Sequence, residues 1–289
     1  MKRFLLVPLA LAAALAATPA SLRALSDTEA EAGRAVVKRY ADTIISVNLV
    51  VTLSITVGDK SMPPQEARLE VNGTVMSPAG LTVTSLSAID PRGATLARLR
   101  GTPGVAGRNI EMAETEFKEV KLRLPDGTEI AARVVLKDAD TDLAFIAPET
   151  GGRIFPSVNL QNAARPEILG TYFCVRRAGR DLQRVPLVNA ATVEGLVERP
   201  RQFFLVAGAA VGSPVFDARG AILGLCVEHL NGGRGTGLVV LPSSQVAEIA
   251  KQAAVEAAKP PPEPAPSDDS KSDADTSAPA AKTAAKPSP

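Results

Sequence analysis

Residues 120–134, VKLRLPDGTEIAARV, carry the pattern on which the fold is read. Val120, Leu122 and Leu124 alternate with Lys121 and Arg123, the period of a strand buried on one face only. Pro125-Asp126-Gly127-Thr128 then supplies turn chemistry, and Ile130, Ala132 and Val134 resume the alternation. The segment therefore reads as a β-hairpin. Upstream, Arg68 to Met76 and Leu81 to Thr84 flank the turn Ser77-Pro78-Ala79-Gly80 and read as a second hairpin. Ile44 to Val57 is dense in Ile, Val, Leu and Thr and reads as one long strand.

Downstream the same style continues. Short strands are expected at Leu143 to Ile146, Thr171 to Val175, Ala191 to Leu196, Phe203 to Val206, Pro214 to Phe216, Ile222 to Val227 and Gly237 to Leu241. Many short strands separated by polar turns predict an all-β sandwich or barrel. Two helices frame them. Ser26-Asp27-Thr28-Glu29 has capping-box spacing ahead of a leading helix, and Gln245 to Ala258 suits a closing one. With only 3% aromatic residues and no tryptophan, the core has to be built from Val, Leu, Ile and Ala.

The ends differ in kind from the middle. Lys2 and Arg3 precede a short apolar stretch, Phe4 to Ala17, and small residues follow to Ala24. Residues 1–24 thus read as a secretory signal, too short to span a bilayer, which needs about 20 apolar residues. Export to the periplasm or the extracellular space is expected, with no membrane span after signal removal. From Lys259 to Pro289 the chain is Pro, Ala, Ser, Lys and Asp, a composition expected to stay disordered. The 32 basic and 31 acidic residues nearly cancel, which gives no electrostatic case for nucleic acid.

Four stretches, in order, resemble the HtrA (Deg) branch of the trypsin-like serine proteases. They are Gly73 to Asp90 (GTVMSPAGLTVTSLSAID), Val120 to Ile146 with its D-x-x-x-D-L-A segment, Leu169 to Ala178, and Val211 to Leu241. The resemblance implies a trypsin-like fold of two packed six-stranded β-barrels, residues 44–150 and 151–258, after a leading helix in 25–43, with the site in the cleft between them. It also implies acyl transfer, in which a serine attacks, a histidine takes its proton and an aspartate orients the imidazole.

Carried over residue by residue, that chemistry is incomplete. The aspartate is retained as Asp142, whereas the histidine position falls on Ser87 and the nucleophile position on Val211. Valine offers no nucleophilic atom, and the one histidine, His229, lies beyond the nucleophile position. Asp142 is expected to accept hydrogen bonds from Ser87 or from backbone. The loop Ala209-Ala210-Val211-Gly212-Ser213 corresponds to the one that forms an oxyanion hole in the family, with Ala209 where a glycine is usual. No catalytic residue is expected, and the leading reading is an inactive relative that binds a polypeptide or an envelope protein. A hydrolase with a non-standard nucleophile and a structural envelope protein tethered by its tail are the alternatives. Cys174 and Cys226 permit one disulfide outside the cytoplasm or stand as buried thiols. No cofactor is expected, and with a single histidine no metal-ligand cluster emerges.

Overall fold

A computed structural model describes residues 25–105, 107–231 and 234–260. Residues 1–24, read above as a signal, and nearly all of the tail lie outside the described residues. In chain order the first half contains helix α1 (Asp27–Tyr40) and strands β1 (Ile44–Leu53), β2 (Ile55–Val57), β3 (Lys60–Ser61), β4 (Gln65–Val75) and β5 (Thr82–Ser85). Short helices α2 (Leu86–Ile89) and α3 (Arg92–Arg100) follow, then β6 (Ile110–Met112), β7 (Glu116–Arg123), β8 (Glu129–Asp138) and β9 (Leu143–Pro148). Six of these strands close into a barrel in the order β1-β4-β5-β9-β8-β7, and β3-β2-β6 form a small separate sheet.

The second half has β10 (Thr171–Arg177), β11 (Pro186–Val197), β12 (Phe203–Ala207), β13 (Pro214–Phe216), β14 (Ile222–Asn231) and β15 (Arg234–Pro242), then helix α4 (Ser243–Ala257). These strands close a second barrel in the order β10-β11-β12-β15-β14-β13. The double six-stranded barrel is the architecture expected from the sequence.

The hairpin at 120–134 forms as its alternation requires. Leu122 pairs with Ile130 across β7 and β8, and the Leu124 N–H donates to the Thr128 carbonyl at 2.9 Å. Gly127 takes φ +85° in that turn, a conformation in which a Cβ is strained. One expectation is corrected and one feature was not foreseen. The run 44–57 is broken after Leu53, with β2 leaving the barrel for the small sheet. The segment from Leu86 carries α2 and α3, for which no apolar periodicity gave warning.

Inside the first barrel, Val47, Leu49 and Val51 of β1 meet Val120, Leu122 and Ile146. Inside the second, Val193, Phe204, Val215, Leu223 and Val240 do the same. A third cluster lies between the barrels. Leu81, Val83, Leu143, Phe145 and Ala147 pack from one side against Leu225, Val227, Val239 and Leu241, and α4 adds Val246, Ala250 and Ala253. Strands β5 and β9 are thus buried on both faces, which is why β9 reads LAFIAP with no alternation.

Helix α1 fastens to the second barrel. Its capping box holds Ser26 and Glu29 together, and Glu29 also accepts a 2.7 Å bond from the Thr171 hydroxyl. Tyr40 stacks on Phe216 at 4.1 Å and donates its hydroxyl proton to the Gly220 carbonyl at 2.6 Å. Gly33 permits the approach, since a Cβ there would lie 2.9 Å from Phe173 Cε1. Arg177 binds the start of the first barrel, donating to the carbonyls of Ile44 and Ala41, and donates also to the Arg184 carbonyl on its own side. Arg184 is itself paired bidentately with Glu70. The arginines clustered in sequence near residue 180 are therefore partly structural ties rather than one free basic face.

Phe145 is fully buried in the cluster between the barrels. Phe145→Ala is expected to destabilise the protein by about 3–5 kcal/mol, read as a lowered urea midpoint. A loss under 1 kcal/mol would show that the barrels do not depend on this contact.

Candidate functional site

The turn between β8 and β9 places Asp142. The Asp138 carboxylate accepts from the N–H groups of Asp140 at 3.0 Å and Thr141 at 3.1 Å, closing an Asx turn. Asp142 follows with φ +55°, a left-handed conformation unusual for a residue with a Cβ. Its carbonyl accepts from the Leu86 N–H at 2.9 Å. Its side chain, 1% exposed, meets donors from both barrels.

Asp142 Oδ1 accepts from the Ser87 N–H at 2.7 Å. Oδ2 accepts from the hydroxyls of Ser85 and Ser87, the latter at 3.1 Å, and from the Glu228 N–H at 2.8 Å. The two serine hydroxyls also lie 2.9 Å apart. Burial pushes the Asp142 carboxyl above the usual carboxylate range, against the pull of Ser85, the Ser87 and Glu228 amides and the Ser87 hydroxyl. Both oxygens are thus filled by the fold itself. Of these donors, sequence reasoning singled out Ser87. It did not single out Ser85, two residues earlier, and a backbone donor at Glu228 has no side-chain signature to find.

The loop 209–213 rests against the first barrel. Gly212 takes φ +72°, its N–H donates to the Cys226 carbonyl at 2.8 Å, and its carbonyl accepts from Thr74 at 3.2 Å. A Cβ at Gly212 would lie 2.7 Å from the Asn72 carbonyl oxygen and 2.9 Å from Thr84 Oγ1, so only glycine fits. Gly208 (φ +81°) and Gly212 are the left-handed residues of this loop; Ala209, Ala210 and Val211 are not among them. Val211 is half-buried. Ser213 is fully buried, and its hydroxyl has no hydrogen bond of ordinary geometry among the described residues, although the Cys174 thiol lies beside it.

The structure brings Ser87 and Asp142 together and leaves the histidine elsewhere. His229 shares a hydrogen bond with the Thr236 hydroxyl (2.7 Å) and tilts against the Phe203 ring at 4.9 Å. Cys174 and Cys226 are free thiols in the core of the second barrel. Burial pushes the Cys174 thiol up, and it pushes Cys226 up to about 12 with help from Cys174 and Asp142. Among the described residues no group of three or more His, Cys, Asp or Glu side chains is arranged to hold a metal ion.

A family model described as a trypsin-like peptidase domain matches residues 71–225, more than half of the chain. No curated protein matches the sequence.

Two outcomes follow from this geometry. A neutral Asp142 satisfies the same contacts, because a serine hydroxyl can turn to accept its proton. An asparagine cannot, since its NH2 must face either the Ser87 or the Glu228 amide. Asp142→Asn is therefore expected to cost about 1–3 kcal/mol, as for an unsatisfied buried donor. Because burial raises the folded-state pKa of Asp142 above its unfolded value, its own contribution is complete in acid and is lost as pH rises through the folded pKa. The deficit of the variant should accordingly be larger at pH 4 than at pH 8 in urea titrations, and the opposite trend would mean that the ionised form is favoured. For the thiols, iodoacetamide at pH 8 should label neither cysteine in the native protein and both after unfolding; rapid native labelling would contradict their burial.

Proposed function

The chain belongs to the trypsin-like peptidase family, and we propose that it is an exported member that binds polypeptide without cutting it. The observation that carries this reading is the occupancy of Asp142. In the family mechanism this carboxylate orients an imidazole that removes the proton of the attacking serine. Here its oxygens take Ser85, Ser87 and the Glu228 amide, and the nearby side chains bring hydroxyls rather than a base. A serine hydroxyl cannot accept a proton near neutral pH, and Val211 has no oxygen to activate.

Ser213 does not supply the missing nucleophile. Its hydroxyl is enclosed in the core beside a thiol held protonated by burial. Ser87 is partly accessible, but the side chains its hydroxyl reaches are those of Ser85 and Asp142, and neither is the imidazole that takes the proton in the family mechanism. Retention of the barrels and of the groove between them supports binding as the remaining use of the fold. The signal-like residues 1–24 support export, and the Pro/Ala-rich segment after Lys259 supports a tether to an envelope partner.

The full chain, treated with a fluorophosphonate probe beside an active trypsin-like peptidase, should remain unlabelled. It should nevertheless raise the anisotropy of a fluorescein-labelled unfolded polypeptide. Val211→Ser should also remain unlabelled, because no base faces the new hydroxyl. Stoichiometric labelling of one serine in the unaltered chain would sink the proposal and identify the nucleophile.

A further inference from the structure

The near-cancellation of charge over the whole chain hides a local excess. Residues 91–110 contain four arginines, Arg92, Arg98, Arg100 and Arg108, and no acidic residue, against a net charge of +1 for the whole chain. Arg92 is neutralised by Asp90. Arg98, Arg100 and Arg108 are exposed, and among the described residues none of them has an ion-pair partner. The backbone keeps them close together. Arg98 and Arg100 end α3, and successive turns follow: Thr102 N–H donates to the Leu99 carbonyl at 3.0 Å, Val105 to Thr102 at 3.1 Å and Arg108 to Val105 at 3.0 Å.

These turns join a lobe outside both barrels. The Gly58 N–H, between β2 and β3, donates to the Asn109 carbonyl at 2.8 Å and ties the arginine-bearing stretch to the sheet β3-β2-β6. Alternation and register put Lys60, Val57 and Ile110 on one face of that sheet, and Ser61, Thr56 and Glu111 on the other. The first face thus combines aliphatic side chains with a lysine, and Met62, 36% exposed, follows β3. Two acids share the lobe, Asp59 and Glu111, so Lys60 and the three arginines remain in excess. The lobe adds little to the core, since in α3 only Thr95 is buried while Leu96 and Leu99 are half-buried. Complementing the helix dipole accounts for Arg98 and Arg100 at the end of α3 but not for Arg108 or Lys60.

We infer that this lobe docks on the surface of an anionic lipid bilayer. The basic residues come from a strand, a helix and a turn, which suits a laterally extended layer of phosphates better than a single acidic chain. The aliphatic side chains among them can sit at headgroup level, where an acidic polypeptide would offer them nothing. Each basic residue near such a surface strengthens association about fivefold, so Arg98, Arg100 and Arg108 together are worth about a hundredfold. The docking is peripheral, because no helix among the described residues is long and apolar enough to cross a membrane. It is independent of the chemistry at Asp142.

Flotation of the full chain with vesicles tests the docking. Binding is expected with vesicles of three parts phosphatidylcholine to one part phosphatidylglycerol. It should weaken as salt approaches about 1 M, where the screening length falls to about 3 Å. Arg98→Gln/Arg100→Gln/Arg108→Gln should lower the phosphatidylglycerol-dependent partition coefficient about a hundredfold. Arg34→Gln/Lys38→Gln/Arg165→Gln, which removes three exposed charges elsewhere, should leave it nearly unchanged. Residues 1–24 are identical in all three proteins, so their apolar stretch cannot produce the difference. The chain has no tryptophan, so Met62→Trp adds a single fluorophore whose emission should shift to the blue with phosphatidylglycerol vesicles. No dependence on phosphatidylglycerol, an unshifted emission, or an equal loss in both triple variants would overturn the docking. So would capture by poly-glutamate of a chain that ignores the vesicles, which would assign the face to an acidic polypeptide.

Discussion

The packing of β5 and β9 between the two barrels is the constraint on which the rest depends. Strands of this kind have no solvent side; Val83 and Phe145 are fully buried in the cluster shared with Leu225, Val227 and Leu241. Each apolar side chain of that size contributes about 1.5–3 kcal/mol on burial. The same packing sets the site. Ser85 ends β5, two residues after Val83; Asp142 immediately precedes Leu143 of β9; and Glu228 immediately follows Val227 of β14. The three elements that meet at the Asp142 carboxylate are therefore delivered by neighbours of three side chains locked in the seam. A hydrogen-bond network built from such positions needs no separate device to hold it together.

This explains how Asp142 is kept in a left-handed conformation. An isolated non-glycine residue at φ +55° carries a cost that its surroundings must offset. Here its carbonyl is taken by Leu86, its carboxylate by Ser85, Ser87 and Glu228, and the turn before it by Asp138. The carboxyl is over-determined from both barrels. Burial nonetheless outweighs these donors in setting its proton affinity, since charge in a solvent-free seam is costly even when hydrogen-bonded.

What was legible in the sequence follows from which interactions leave a periodic trace. The hairpin at 120–134 alternates because only one of its faces is buried, and Pro125 to Thr128 mark the turn between its strands. Asp142 and Ser87 were identified by their place in family motifs, and both lie at the site. Helix α3 was missed because it buries little more than Thr95 and so shows no apolar stripe. The break in 44–57 was missed because Ile55 is as apolar as its neighbours, although it serves a different sheet. The Thr141 hydroxyl, which is buried without a partner, and the Glu228 carboxylate, which lies over Gly235, reflect contacts across strands and between barrels, which no local pattern encodes.

Glu228 connects the network to the groove. Its N–H closes the ring of donors around Asp142, and the residue lines the groove between the barrels. Successive residues of a strand point to opposite faces, so the backbone of one residue can serve the interior while its side chain serves a surface. The register of β14 is consequently shared by both features: Cys226 pairs with Val240, Val227 with Val239, and Glu228 with Leu238. A slip of one residue would place another amide at Asp142 and turn another side chain to the groove. The apolar residues of β14 and β15 fix that register independently of any chemistry at the site. The barrel pair therefore holds the lining of this groove in place whatever side chains stand at Ser87 and Val211.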